Sequence, residues 1–263
     1  AAMDTPHGDL HELLARTKKV AAEAPNCIGF RLHMENQGTN VLYRHFNTAV
    51  AWNPQRMSVD RFLDDYAVQR YGMRSVKTMR QSLDKLVGAM KANTIWDNPG
   101  LGGAYIPFYR YSLRPANSKY TELDNTVKSF ELFREALRLA LLEKENQRHN
   151  KLYENDVVDL ARSCLGKLFD YHYVRLHATA AVEDWERFDR SAEIALECLN
   201  RTEKILSTRS DFSMQETIDY AKSVKGTKGP RTTVWEISLE TLEEYAKGGS
   251  GEYANVDCYE QMH

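Results

Sequence analysis

The sequence predicts a mainly α-helical protein with one short α/β segment near its start. At least six segments repeat apolar residues at the spacing of an amphipathic helix. One segment, residues 27–34, alternates apolar and polar residues as a β-strand does. A lone strand leaves its backbone hydrogen-bonding groups unpaired, and even an isolated hairpin is marginally stable in water. We therefore expect the chain to be a fragment, in which this strand is the last of a sheet encoded upstream.

The α/β segment consists of a helix over residues 9–24, which Pro25 ends, and the strand that follows it. The apolar face of the strand comprises Ile28, Phe30, Leu32 and Met34, and its polar face comprises Arg31, His33 and Glu35. Helix, strand and polar loop form the closing unit of an α/β arrangement such as a (β/α) barrel. Active sites of barrels form at the C-terminal ends of the strands, and Glu35 lies at such an end.

Helical segments separated by capping and breaking residues follow the strand. A short helix or turn over residues 40–50 is followed by a break at Trp52-Asn53-Pro54. Ser58 can cap the next helix, and Gly72 is well placed to end it. Ser75 can cap another helix. One face of that helix carries Val76, Met79, Leu83, Leu86, Val87 and Met90.

The second half of the chain is predicted to be helical after one long loop. Residues 93–120 are rich in proline and glycine, which predicts a long loop, and their aromatic residues favour an ordered lid over a flexible tether. Helical patterns then occupy residues 122–149, 153–173, 177–207, 213–224 and 233–247. We therefore divide the chain into a terminal α/β piece of a barrel, residues 1–57, and a multi-helix C-terminal domain, residues 58–263.

Composition excludes several classes of function. With 35 basic and 37 acidic residues, the chain has no charge excess suited to nucleic acid or an anionic membrane. No apolar run approaches the 18 residues of a membrane-spanning helix.

The four cysteines, Cys27, Cys164, Cys198 and Cys258, lack metal-ligand spacing. His172 and His177 have no third ligand at suitable spacing, so they are predicted to be ordinary histidines. Neither a metal nor an organic cofactor is implied.

Four groups of motif residues follow one another along nearly the whole chain. The first comprises Glu35, Asn40, Tyr43, Trp52, Tyr66-Ala67 and Arg70-Tyr71-Gly72. The second comprises Asp156-Val157-Val158-Asp159-Leu160-Ala161-Arg162 and Leu165, and the third Leu206-Ser207-Thr208-Arg209 and Phe212. The fourth comprises Thr233-Val234-Trp235 and Leu242-Glu243-Glu244-Tyr245-Ala246. In this order the groups resemble the α-N-acetylglucosaminidase family of glycoside hydrolases, although Asn36 stands where the family has a glycine.

The resemblance implies a site of two carboxyl groups and a wall of aromatic side chains. Retaining glycosidases hold the two carboxyls about 5–5.5 Å apart, one as nucleophile and one as acid. Glu35 matches the nucleophile on the last barrel strand, and the acid is expected on an earlier strand outside the chain. Trp235, Leu242 and Tyr245 match positions that bring the helical domain to the sugar pocket, where aromatic rings stack on the sugar. His33 shares the face of Glu35 and can line the pocket.

Each of these roles has a structural alternative. Glu35 can be a solvated residue at a strand end, and His33 can bond a neighbouring strand. Trp235 and Tyr245 can be aromatic residues that pack helices together. The sequence leaves these alternatives open.

The resemblance thus implies that the parent protein is an exo-acting retaining glycosidase. Its substrate would be a carbohydrate with a terminal α-linked N-acetylglucosamine or a related sugar, and its barrel domain would precede this chain. The fragment alone is expected to be inactive, and the parent is expected to be secreted, periplasmic or lysosome-like. The rival hypothesis is a non-catalytic helical module that binds other proteins.

Overall fold

The computed structural model describes residues 6–24, 26, 27, 29, 41–93, 123–213, 216 and 219, which contain six α-helices and no strand. The helices are α1 (Leu10–Glu23), α2 (Val41–Trp52), α3 (Val59–Ala92), α4 (Leu123–Leu141), α5 (Lys151–Ala181) and α6 (Trp185–Leu206). Short 3-10 helices occupy Pro54–Arg56 and Ser210–Phe212. The prediction of a mainly helical chain is confirmed. Of the predicted strand, only Cys27 and Gly29 are described, so most of the strand lies outside the described residues and its place in a barrel stays a prediction.

Side-chain caps explain where two of the helices begin. The carboxylate of Asp9 accepts hydrogen bonds from the backbone nitrogens of His11 and Glu12, at 2.9 and 3.2 Å, at the start of α1. The hydroxyl of Ser58 accepts one from the backbone nitrogen of Arg61, at 3.2 Å, at the start of α3. Each cap satisfies donors that a helix N-terminus leaves without a partner. The predicted cap at Ser58 is therefore confirmed.

Helix α3 is interrupted at Gly72 and folds back on itself there. Gly72 has φ 76° and ψ 165°, which no helix contains. Beyond it, Arg80 Nε bonds Asp64 Oδ1 at 2.8 Å, and Arg80 Nη2 bonds Asp60 Oδ1 at 3.0 Å. In a straight helix, residues 16 apart would lie roughly 24 Å from each other. The two halves of α3, residues 59–71 and 73–92, therefore lie side by side.

The prediction that Gly72 ends a helix is confirmed, whereas the predicted cap at Ser75 is wrong. The second half of α3 starts directly after Gly72, so that Ser75 already lies inside it, 1% exposed. The hydroxyl of Ser75 accepts a hydrogen bond from Gln147 Nε2 at 2.8 Å. The glycine alone supplies the turn, which leaves no connecting residues for a serine cap to follow.

Replacing Gly72 by alanine is expected to destabilise the protein by about 1–3 kcal/mol, because its backbone conformation is reserved for glycine. No atom lies within 4 Å of an added Cβ, so this cost reports backbone strain alone. Urea denaturation measures the free energy of unfolding. The control is Gly88→Ala, whose added Cβ makes an ordinary 3.5 Å contact with Leu132 in a helical position. Equal stability of the two variants would contradict the backbone assigned to Gly72.

The second half of α3 and helices α4, α5 and α6 pack in sequence, each against the next. The main core between them includes Leu83, Met90, Phe133, Ala136 and Leu160. A smaller core between α5 and α6 comprises Phe169, Ala195 and Cys198. The predicted helix break at residues 174–176 is wrong, because no glycine or proline stops α5 there and Val174 is buried.

The chain instead turns at residues 182–184, beyond the end of α5. Glu183 takes a positive φ of 56° in this turn. Asp184 then caps α6, because its carboxylate accepts a hydrogen bond from the backbone nitrogen of Arg187 at 3.2 Å. Residues 142–149, predicted as the end of a helix, also form turns.

Helices α1 and α2 share the main core with α3, α4 and α5. They contribute Leu10, Leu14, Leu42, Phe46 and Val50, all buried. The backbone nitrogen of Gly8 also bonds the Met90 carbonyl at 3.2 Å. The domain boundary placed after residue 57 stays a prediction. Within the described ranges, no helix has the length and apolar character needed to cross a membrane.

Candidate functional site

The predicted site residues lie outside the described part of the chain. This holds for Glu35 and His33 near the N-terminus and for Trp235, Leu242 and Tyr245 near the C-terminus. Their roles therefore stay predictions. The described residues instead bring together members of the first three motif groups, which lie far apart in the sequence.

The centre of this arrangement is the Asp156 cluster, which consists of Tyr66, Arg70, Tyr71 and Asp156. Arg70 donates two hydrogen bonds to the carboxylate of Asp156, Nε to Oδ2 at 2.6 Å and Nη2 to Oδ1 at 2.7 Å. The hydroxyl of Tyr71 donates a third to Oδ2 at 2.7 Å. The Arg70 and Asp156 side chains are only 10% and 17% exposed. Bidentate, charge-assisted pairs of this kind are among the strongest hydrogen bonds in proteins.

The connection between α4 and α5 binds the helix end that carries Arg70 and Tyr71. Because the first half of α3 ends at Gly72, its last carbonyls need donors from elsewhere. Asn150 Nδ2 donates to the carbonyl of Arg70 at 2.8 Å, and Gln147 Nε2 donates to that of Tyr71 at 2.7 Å. Asn150 also caps α5, accepting from the backbone nitrogen of Leu152 at 3.0 Å. Asn150 thus joins the end of the first half of α3 to the start of α5.

A second ion pair extends the arrangement to the third motif group. Arg209 Nη1 lies 3.4 Å from Asp159 Oδ1, and both side chains are less than one-fifth exposed. The Arg209 guanidinium also lies 4.4 Å from the centre of the Phe212 ring, a cation–π distance. Asp156 and Asp159 are three residues apart on α5, so they lie on one side of that helix. The first three motif groups therefore meet on α5.

Electrostatics keeps Tyr66, Arg70 and Tyr71 in one protonation state. Burial raises the pKa of Tyr71 well above its usual value, and the charge of Asp156 adds to the rise. Burial likewise raises the pKa of Tyr66. Burial alone would lower the pKa of Arg70, but its hydrogen bonds and charge interaction with Asp156 raise it overall. The tyrosines are thus neutral and the arginine charged at physiological pH, which suits a scaffold better than proton transfer.

A small cavity adjoins the cluster. Tyr66, Tyr71, Asp156 and Asp159 line it together with apolar residues that include Leu42. Its volume is about 40 Å³, and a water molecule needs roughly 10–15 Å³. The cavity is therefore large enough for a few water molecules.

Two cysteines and one histidine of the described ranges lie in surroundings that make them unreactive, whereas Cys27 is exposed. Burial raises the pKa of Cys164 and of Cys198 to about 11, so both thiols are protonated at neutral pH and are poor nucleophiles. His177 packs edge-on against Tyr173 with ring centroids 4.9 Å apart, and burial lowers its pKa. Among the described residues, no group of three His, Cys, Asp or Glu side chains could hold a metal ion.

Sequence reasoning named the cluster residues as motif members but did not predict that they bind one another. A signal was present, since oppositely charged residues occur in separate motif groups: Arg70 with Asp156, and Asp159 with Arg209. Opposite charges that recur in separate motifs are candidates for pairing in the fold.

The described structure thus defines an all-helical domain in which residues of the first three motif groups form largely buried ion pairs. The chain belongs to the alpha-N-acetylglucosaminidase (NAGLU) C-terminal domain family, whose model matches residues 62–247. The family predicted from the motif groups is therefore confirmed. No curated protein matches the chain.

Proposed function

We propose that the chain is the C-terminal region of an exo-acting retaining glycosidase that removes terminal α-linked N-acetylglucosamine or a related sugar. The observation that carries this proposal is the family match over residues 62–247. The match spans the motif residues from Arg70 to Tyr245. The Asp156 cluster supports the same proposal, because Arg70, Tyr71 and Asp156 are motif residues that bind one another.

In the proposed mechanism, Glu35 is the nucleophile on the last strand of a barrel. Its carboxylate attacks the anomeric carbon and forms a glycosyl ester, while an acid on an earlier strand protonates the leaving oxygen. Water, activated by the same acid residue acting as a base, then hydrolyses the ester. The net configuration at the anomeric carbon is retained because each step inverts it.

The helical domain would supply the wall of the sugar pocket. Trp235 and Tyr245 would stack on or hydrogen-bond the sugar, Leu242 would pack beside them, and His33 would line the pocket next to Glu35. The proposed partners are thus a carbohydrate substrate and a barrel domain that precedes the helices. The largely buried Arg70–Asp156 ion pair would keep this wall in place.

The test is to assay the full-length protein on an aryl α-N-acetylglucosaminide and to follow the anomer first released by NMR. We expect turnover with the α-anomer as first product, and little turnover of the β-linked substrate. The chain of residues 1–263 alone is expected to be inactive, because one of its two required carboxyls lies elsewhere. Release of the β-anomer first, or turnover by the chain alone, would contradict the proposal.

The rival function is a non-catalytic module that binds another protein. It is favoured by an apolar stripe on α6, formed by Trp185, Leu196 and Leu199, which are 57%, 61% and 43% exposed. Exposed apolar surface of this kind can mark an interaction site. A full-length protein that fails to hydrolyse any α- or β-linked aryl glycoside would favour this rival.

A further inference from the structure

One edge of α6 carries an apolar stripe, formed by Trp185, Leu196 and Leu199, that faces solvent. The three side chains are 57%, 61% and 43% exposed. The stripe adjoins the side of α6 on which Ala195 and Cys198 belong to the smaller core with α5. A row of large apolar side chains left in water is a feature of interaction surfaces.

The spacing of the stripe is that of a helix which packs lengthwise against another helix. Trp185, Ala192 and Leu199 follow one another at intervals of seven residues, and Leu196 lies between the last two. From residue 185 to residue 199 the helix rises roughly 21 Å. A long, narrow surface of this kind fits the side of a second helix.

The charged residues nearest the stripe are all acidic. Asp189, Glu193 and Glu203 each lie three or four positions from a stripe residue, and therefore on the same side of α6. The two ion pairs described on α6 use other residues. Within the described ranges, these three carboxylates thus border the stripe without a basic partner.

We propose that the stripe binds a basic amphipathic helix of another protein. The apolar side chains of that helix cover the stripe, and its lysines or arginines lie against the three bordering carboxylates. Charges beside an apolar seam determine which helices pair with each other. This inference does not depend on the proposed glycosidase function.

A second copy of this chain suits the stripe less well. In a parallel pair, Asp189 and Glu203 would each face the same residue of the other copy. In an antiparallel pair centred on the stripe, they would face Leu199 and Trp185 of the other copy. Like charges in contact, and carboxylates placed against apolar side chains, both destabilise an interface.

The test measures the binding of two synthetic peptides to the full-length protein by fluorescence anisotropy. Each peptide is about three heptads long with leucine at positions a and d, and the flanking positions carry lysine in one peptide and glutamate in the other. We expect the lysine peptide to bind at least roughly tenfold more tightly, and this preference to shrink in high salt. Equal binding of the two peptides would overturn the proposal.

The first variant is Leu196→Asp, which places a charge in the stripe. It is expected to weaken binding of the lysine peptide by roughly tenfold or more, because truncating or charging the centre of an interface has the largest effect. The matched control is Leu152→Asp, since Leu152 is 47% exposed but lies on α5, outside the stripe. Equal losses in the two variants would show that the peptide does not bind the stripe.

The second variant combines Asp189→Lys with Glu203→Lys. Both side chains are exposed, and circular dichroism checks that the variant folds. Reversing these charges is expected to reverse the preference, so that the glutamate peptide binds more tightly than the lysine peptide. An unchanged preference would show that the carboxylates do not select the partner, and the proposal would fail.

Two further measurements separate this inference from its alternatives. By light scattering, a wild-type dimer that Leu196→Asp converts to a monomer would overturn the proposal in favour of a second copy. In the glycosidase assay, Leu196→Asp is expected to keep wild-type turnover, because Leu196 is not among the residues of the proposed pocket. A wild type that binds the lysine peptide without glycosidase activity would refute only the proposed function.

Discussion

In the full-length protein, Glu35→Gln is expected to reduce turnover by several orders of magnitude while leaving the protein folded. The amide is nearly isosteric with the carboxylate and still forms hydrogen bonds, so the end of the predicted strand keeps its shape. It cannot form the glycosyl ester that divides hydrolysis into two easier steps. Steady-state kinetics on an aryl α-N-acetylglucosaminide measures the loss, and circular dichroism confirms the fold.

Two comparisons make the Glu35 result specific. Azide can take the place of the missing carboxylate, and it should restore release of the aryl group while yielding a glycosyl azide of inverted configuration. Glu12→Gln changes an exposed glutamate of α1 that pairs with Arg16, and it should leave turnover unchanged. Near-normal turnover by Glu35→Gln would exclude this residue as the nucleophile.

Asp156→Ala is expected to destabilise the protein by about 3–5 kcal/mol, the usual cost of removing one partner from a buried ion pair. The substitution leaves the Arg70 guanidinium and the Tyr71 hydroxyl without the acceptor that they share. Both groups are largely buried, so water cannot fully replace the carboxylate. Urea denaturation of the full-length protein, followed by circular dichroism, measures the change in unfolding free energy.

The control for this prediction is Asp84→Ala, which removes a more exposed carboxylate. Asp84 pairs with Arg80, but its side chain is 54% exposed, and Arg80 retains Asp60 and Asp64 as partners. Exposed pairs are typically worth about 0–1 kcal/mol. If both variants lose the same small amount, Asp156 does not stabilise the fold as its geometry indicates.

Local patterns in the sequence predicted most of the helices, because helix starts and stops are decided by nearby residues. Ser58 caps α3 and Gly72 interrupts it, as their positions indicated. The same reasoning failed at Ser75, which has the side chain of a cap but lies inside the helix. A capping rule uses only the residue type, whereas the position of a cap depends on how many residues the preceding turn contains.

The pairing of Arg70 with Asp156 could not be read from local patterns. The two residues are 86 positions apart, and the chain contains many other charges that each could have met. Only the packing of α3 against α5 selects this pair. For the candidate site, the order of the motif groups was enough to identify the family. The roles of Glu35 and Trp235 stay predictions, because both residues lie outside the described part of the chain.

The connection between α4 and α5, residues 142–150, matters for anyone who modifies this chain. Surface connections usually accept inserted tags, labels or new termini. This one is unsuitable, since Glu143 and Gln147 are buried and the Gln147 and Asn150 amides bind the end of another helix. The turn at residues 182–184 is the better choice, because Val182 there is 73% exposed. A fluorophore or an affinity tag placed at that turn would leave the interrupted helix and its partners undisturbed.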